Sequence, residues 1–117
     1  MSNYLKRAWA EINLNNMEHN LSVLRHLVDK DCMVMSVLKA DAYGHGSGMC
    51  AQICEKSGIE WFGVATIEEA LALRKNGITK SILVFGFTPN VYIDMAVKNN
   101  ITLSVFSLDY AIDISNA

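Results

Sequence analysis

Positive charge, long apolar runs and paired cysteines are all scarce in this sequence, and each scarcity removes a class of function. The 117 residues carry 10 lysines and arginines against 12 acids, a formal charge of −2. No broad basic surface is therefore expected for nucleic acid or for an anionic membrane. No apolar run approaches the roughly 20 residues that a membrane-spanning helix needs. Met1–Arg7 lack the apolar core of a signal peptide, so a cytoplasmic location is expected. The three cysteines are Cys32, Cys50 and Cys54. Cys50 and Cys54 stand four apart on an expected helix, hence on one face. A zinc site would need two more ligands at suitable spacing, and the sequence offers none. Free thiols, buried or half-buried in a reducing compartment, are the expectation. What the chain does have is apolar material. With 51% of residues apolar and 19% charged, it can build the core of one domain.

Strand and helix patterns alternate along the chain. A first short strand is expected at Trp9–Leu14. A helix follows, with Asn15 as cap, Glu18 at the capping-box position and an apolar stripe of Met17, Leu21, Leu24, Leu27 and Val28. Met33–Leu38 is almost continuously apolar, as strands buried on both faces of a parallel sheet are. A polar turn leads to a helix near Gly48–Lys56, ended by Gly58. Trp61–Ala65 is the next strand. Thr66 caps another helix, with Glu69 at its capping-box position and Gly77 as its stop. Ser81–Phe85 is a strand, and Thr88-Pro89 opens a helix with proline at the first position. Ile101–Phe106 is a further strand, and Leu108–Ala117 begins one more helix.

Three junctions share a signature. Gly58-Ile59, Gly77-Ile78 and Asn100-Ile101 each mark a helix end followed within a few residues by a strand. They recur at roughly 20-residue spacing, which fits tight βα units. The order argues for an α/β fold, a parallel sheet with helices packed outside it, as a barrel or an open doubly wound sheet. A (β/α)8 barrel needs eight units and about 250 residues. Four or five units are visible, so residues 1–117 are expected to be part of a longer chain. A small self-sufficient open α/β domain is the alternative.

Chemistry concentrates in Lys39-Ala40-Asp41-Ala42-Tyr43-Gly44-His45-Gly46. Lys39 directly follows an expected buried parallel strand, and active sites of α/β folds form at the carboxyl ends of strands. Burial lowers a lysine's pKa, and its neutral amine can form a Schiff base with a carbonyl. The other reading is a lysine whose stem packs while its head reaches solvent. Tyr43 can donate to an anion such as a phosphate, or be an ordinary rim aromatic. Gly44 and Gly46 permit positive φ and close backbone approach, just before a helix whose N-terminus attracts anions. This is no Walker loop. His45 suits a supporting donor, a backbone hydrogen bond or a cap, and Asp41 is expected to be a solvated turn residue.

The ten residues Val37-Leu38-Lys39-Ala40-Asp41-Ala42-Tyr43-Gly44-His45-Gly46 closely resemble the pyridoxal-phosphate (PLP) attachment signature of alanine racemases, roughly V-x-K-A-[DN]-A-Y-G-H-G. Arg7–Leu14 is similar to that family's opening strand, Glu68–Arg74 to a helical segment and Ile82–Gly86 to the strand after it. The resemblance implies the N-terminal part of a parallel (β/α)8 TIM-type barrel, and an isomerase. It implies that Lys39 holds PLP as a Schiff base and handles the proton on the D-face, and that Tyr43 contacts the cofactor phosphate. Val37 and Phe85 are expected to line the pocket, Val37 because alternate residues share a strand face with Lys39. For Phe85, ordinary barrel core is an equal reading. The substrate implied is alanine, interconverted between L and D forms to supply D-alanine for cell-wall peptidoglycan. A homodimer is implied, with the second base, a tyrosine, donated by the partner subunit's C-terminal β domain. That tyrosine, a second phosphate-binding tyrosine, the arginine facing the pyridine nitrogen and the main phosphate loop have no match here. The piece alone is therefore expected to be inactive. A serine or broad-specificity racemase of the same family, and a non-catalytic PLP-binding module, are the alternatives.

Overall fold

In a computed structural model, which describes residues 7–117, the chain folds around a parallel sheet. The elements in order are α1 (Leu14–Leu27), β1 (Met35–Val37), α2 (Lys39–Gly44), α3 (Ser47–Lys56), β2 (Trp61–Val64), α4 (Ile67–Lys75) and β3 (Ser81–Val84). A 3-10 turn at Asn90–Tyr92, α5 (Ile93–Lys98), β4 (Thr102–Leu103) and α6 (Leu108–Asn116) complete the chain.

All strand pairs are parallel, and the sheet order β1-β2-β3-β4 follows the chain without reversal. A doubly wound sheet needs a reversal to put helices on both faces. Here one face carries the core. Phe62, Val64, Ile82 and Val84 are at most 1% exposed and pack with Cys50, Ala51, Cys54, Ile67, Ala70, Leu73 and Ala96 of the helices. Met35 and Val37, on the other face, stay 37% exposed. This is an arc of a parallel (β/α)8 TIM-type barrel, comprising four βα units. The expectation that Met33–Leu38 is buried on both faces is corrected accordingly, because no other described element covers the second face.

The repeated junctions are the predicted helix stops. Gly58, Gly77 and Asn100 take positive φ of 82°, 85° and 51°. The next residue's amide then reaches back five positions: Ile59 N to Cys54 O, Ile78 N to Leu73 O and Ile101 N to Ala96 O, at 2.9 to 3.2 Å. Each isoleucine is buried. This Schellman arrangement satisfies the last carbonyls of the helix and turns the chain into the next strand.

Four expectations are corrected. Trp9–Leu14 forms no strand. Ala8–Asn13 is exposed and has no ladder partner among the described residues, so it lacks both sources of strand stability. Helix α1 starts two residues earlier than expected. Asn13, not Asn15, caps it by accepting from Asn16 N at 3.0 Å, and Glu18 completes no capping box. Its Met17 and Leu21 reach the core while Leu24 and Leu27 stay exposed. Pro89 does not open a helix. It is extended (φ −58°, ψ 147°) ahead of the 3-10 turn. The carbonyl of the buried Thr88 accepts from the Tyr110 hydroxyl at 2.6 Å, and the turn starts from the Pro89 carbonyl, which accepts from Tyr92 N at 2.9 Å. Strand β4 is two residues long, because Ser104 Oγ takes the next ladder acceptor, Val84 O, at 2.7 Å. No helix among the described residues is long and apolar enough to cross a membrane.

Two clamps hold the end of the sheet opposite Lys39. The Arg74 guanidinium donates to Asn99 O, Ile78 O, Lys80 O and Asn100 O at 2.7 to 2.9 Å. Burial pushes its pKa down, against the opposing pull of Glu55. Arg74→Ala is expected to lower unfolding free energy by roughly 1.5–3 kcal/mol, and Arg74→Lys to recover little, because an ammonium cannot serve four diverging carbonyls. Denaturant titration of the three chains checks this. The second clamp is Glu60, which accepts from Val34 N at 2.9 Å and from Arg25 at 2.7 Å. The Val34 amide does most to hold the Glu60 carboxyl below its ordinary value. Partial desolvation opposes it and the Arg25 charge adds to it. A depressed folded pKa means that this stability is present above the ordinary glutamate value and is lost as pH falls through the lowered one. Unfolding midpoints followed into acid should therefore fall less steeply for Glu60→Gln than for the parent chain.

Candidate functional site

The parallel ladder delivers the singled-out side chains to one end and one face of the sheet. Val37 pairs with Gly63, and Gly63 with Leu83. Phe85 continues β3, donating from its amide to Val64 O at 2.8 Å. By strand alternation Val37, Gly63, Leu83 and Phe85 share the open face, away from the helices. A methyl group at Gly63 would collide with the Phe85 ring, so the ring lies against bare glycine backbone. Val37 and Phe85 are each 37% exposed. Lys39 follows at the carboxyl end of β1, with Tyr43 one turn later, and both are exposed. The structure thus places Lys39, Tyr43, Val37 and Phe85 at the carboxyl-end rim of the sheet, the mouth of the arc. Lys39 is exposed, as in the reading in which its head reaches solvent, because the strand before it ends at the rim.

The backbone between Lys39 and Gly44 is a single left-handed turn rather than an ordinary polar loop. Ala40, Asp41, Ala42 and Tyr43 all have φ between 51° and 56°. Left-handed α conformation costs about 1–2 kcal/mol for a residue with a Cβ, so the run stores on the order of 4–8 kcal/mol. Such strain persists only where the surroundings over-determine it. Ala42 is buried, and its amide donates to Leu38 O at 2.9 Å. The Ala42 carbonyl accepts from His45 N at 3.1 Å and from His45 Nδ1 at 2.9 Å. Gly46 N donates to Asp41 O at 3.0 Å, and Ala40 N to Glu69 Oε1 at 2.8 Å.

These bonds assign the smaller residues of the stretch. His45 locks the turn through the backbone. Asp41 is not a free solvated side chain, since its Oδ1 accepts from Ser47 N at 2.7 Å, at the first residue of α3. One of the free amides at the N-terminus of α3 is therefore answered by the chain's own carboxylate. Glu69 is the residue that sequence reasoning missed. Its spacing from Thr66 announces a helix cap, but nothing in the sequence announces its bond to an amide 29 positions away.

Two of the three thiols, Cys50 and Cys54, are buried as expected, and Cys32 is not, because the loop after α1 that carries it lies on the surface. Burial pushes the Cys50 thiol up, and the nearby Asp41 charge adds to it. Burial does the same for Cys54, against a lowering hydrogen bond with Ser36. Held as neutral thiols, they are neither nucleophiles nor ready metal ligands. A cavity of about 500 Å³ lies behind the turn, lined by α1 residues together with Ser36, Val37, Leu38, Ala42, His45 and Cys50. Lys39 and Tyr43 are not part of its wall.

Residues 12–117 match the family described as "Alanine racemase, N-terminal domain". Alanine racemase 1 of Caldanaerobacter subterraneus subsp. tengcongensis is 44% identical over 101 residues, which is 86% of this chain and 26% of that protein. The solved alanine racemase of Clostridium difficile 630 superposes with a TM-score of 0.90 at 41% identity, over 97% of this chain and 30% of that one. A histidine racemase from Leuconostoc mesenteroides subsp. sake superposes at 0.79 with 31% identity, over 88% of this chain and 27% of that one. The chain spans less than a third of the length of each.

The end of β3 has little slack at Gly86. A Cβ there would stand 2.5 Å from the backbone oxygen of Ala65, which the sheet holds in place. Gly86→Ala is expected to pry the end of β3 from β2 and to lower stability by about 1–3 kcal/mol. Thermal unfolding tests the loss, and altered near-ultraviolet circular dichroism from the displaced Phe85 ring would locate it.

Proposed function

Since the chain belongs to the alanine racemase N-terminal-domain family, we propose that Lys39 carries PLP and that the whole protein interconverts L- and D-alanine. The observation that carries this reading is the geometry of the mouth: an exposed primary amine at the carboxyl end of β1, a phenol one turn on and an apolar floor. These residues fit the group. Lys39 would bind its aldehyde carbon, Tyr43 would donate to its phosphate, and Val37 and Phe85 would lie beside it on the open face. The bare backbone of Gly63 leaves room for the Phe85 ring, which a Cβ there would displace.

When bound, PLP supplies an electron sink, so that the α-hydrogen of an amino acid can leave as a proton. The chain's own residues do the rest. Once a substrate amine takes its place on the cofactor, the freed Lys39 Nζ would take or return that proton on the D-face. The Tyr43 hydroxyl would hold the phosphate end. Val37 and Phe85 keep water from the floor, where it would weaken each polar contact. Inversion needs a second base on the opposite face. We assign it to a tyrosine of a C-terminal β domain of a partner subunit, in a homodimer. Residues 1–117 then form the N-terminal part of the PLP-binding barrel domain, inactive in isolation, in a cytoplasmic enzyme that supplies D-alanine for the cell wall.

A second reading concerns the substrate. The histidine racemase shares this fold at 31% identity, so an arc of this kind serves more than one side chain. Serine or a broader set of amino acids is the alternative to alanine. Comparing D-alanine, D-serine and D-histidine formation by a longer polypeptide that carries this chain separates the two.

The test of Lys39 needs no turnover. The chain is mixed with PLP, reduced with borohydride and digested, and the pyridoxyl-lysine is mapped by mass spectrometry. The label is expected mainly on Lys39 and is lost in Lys39→Ala. Label scattered equally over the lysines would sink the assignment of Lys39 as a site built by this chain.

A further inference from the structure

Glu69 sits where a capping box places it, yet its strongest bonds are not those of a cap. The two bonds of the box, Thr66 N to Oε2 and Glu69 N to Thr66 Oγ1, are both 3.4 Å long. The other two are short. Ala40 N donates to Oε1 at 2.8 Å, and Ala65 N to Oε2 at 2.7 Å. Short N–H contacts to a carboxylate are the stronger, charge-assisted kind. Each oxygen is therefore committed outside the first turn of α4, one to the residue after Lys39 and one to the residue after β2.

The bond to Ala40 has a specific consequence. The amide of Ala40 belongs to the peptide plane that joins it to Lys39. Fixing that plane fixes ψ of Lys39, and hence the direction in which its side chain leaves the backbone. It also anchors the first of four strained residues, while Asp41 Oδ1 anchors the far end on Ser47 N. No ladder bond does this work, because β1 ends at Val37 and the last sheet-like bond runs from Leu38 N to Gly63 O.

Resting on the assignment of Lys39 above, we propose that Glu69 is a positioning residue for the cofactor lysine. Its carboxylate bridges the ends of β1 and β2 and holds the left-handed turn in the conformation that aims Lys39 into the mouth. Both oxygens are needed. A glutamine offers one acceptor oxygen and must turn an N–H toward the other amide. An aspartate keeps the negative charge at the start of α4 but falls one methylene short of Ala40.

The experiment compares Glu69→Gln, Glu69→Asp and Thr66→Ala with the parent chain. Thr66→Ala removes the other half of the cap and leaves the bond to Ala40 intact. The first readout is amide hydrogen exchange over residues 39–46. Exchange at Ala40 is expected to rise roughly tenfold in both Glu69 variants, the loss of one charge-assisted hydrogen bond, and to stay near the parent value in Thr66→Ala. The second readout is borohydride-trapped pyridoxyl label at Lys39, relative to Lys75 and Lys80 of the same molecule. That ratio is expected to drop in the Glu69 variants and to hold in Thr66→Ala. Matching behaviour of the Glu69 and Thr66 variants in exchange would reduce Glu69 to a helix cap and overturn the proposal. Because Glu69→Asp retains the helix-start charge, it keeps the comparison informative if Glu69→Gln fails to fold. A parent chain that labels its lysines indiscriminately would count against Lys39 as the cofactor site. The exchange comparison would still decide whether Glu69 holds the turn.

Discussion

The register of the parallel ladder, with Val37 beside Gly63 and Gly63 beside Leu83, is the constraint from which the rest of the structure follows. Parallel pairing sends every strand in one direction, so all carboxyl ends arrive at one rim. Strand alternation then assigns each side chain to the helix-covered face or to the open one. A slip by a single residue would exchange the two faces. The buried set of Phe62, Val64, Ile82 and Val84 forbids that slip, because it would bring Gly63 and Leu83 under the helices and turn Phe62 and Ile82 outward. The hydrophobic effect at the covered face thereby locates Phe85 and Val37 at the other, and sets Lys39 one step past the end of β1.

At that rim the chain does something regular secondary structure does not offer. It turns with the wrong hand for four residues that all carry a Cβ. The geometry is held by groups that are not part of any ladder: the Glu69 carboxylate at the start, the Asp41 carboxylate at the end and the His45 ring in between. Backbone strain and polar fixation occur together at the place where the chemistry is assigned. That is where a protein can least accept a loosely held side chain.

Much of this was legible in the residues. Apolar runs at Trp61 and Ser81 foretold β2 and β3, and Thr66 with Glu69 foretold the start of α4. The Gly-Ile and Asn-Ile pairs foretold the helix stops, because a positive φ followed by a buried isoleucine has few other uses. The resemblance around Lys39 pointed to the stretch on which the proposal rests. What stayed hidden depends on partners distant in sequence. Trp9–Leu14 reads as a strand by pattern, but it finds no ladder among the described residues. Pro89 reads as a helix opener until the Thr88 carbonyl is taken by Tyr110. Two glycines at positions 44 and 46 hinted at unusual backbone, while the positive φ values belong also to Asp41, which tolerates them, and to two alanines and a tyrosine that no propensity would nominate. The reach of Glu69 to Ala40 is likewise a tertiary fact, invisible to spacing.

The Schellman junctions carry a further meaning for how such a chain is made. Each helix ends on the same local device, and each strand pairs with the strand that precedes it in sequence. Contacts of this kind close short loops, so the entropy of bringing the partners together stays small at every step. A chain emerging from the ribosome could therefore lay down β1 and β2, then add β3 and β4 in turn, without waiting for distant segments. On this account the mouth around Lys39 needs only the first two units and the end of the third to take shape.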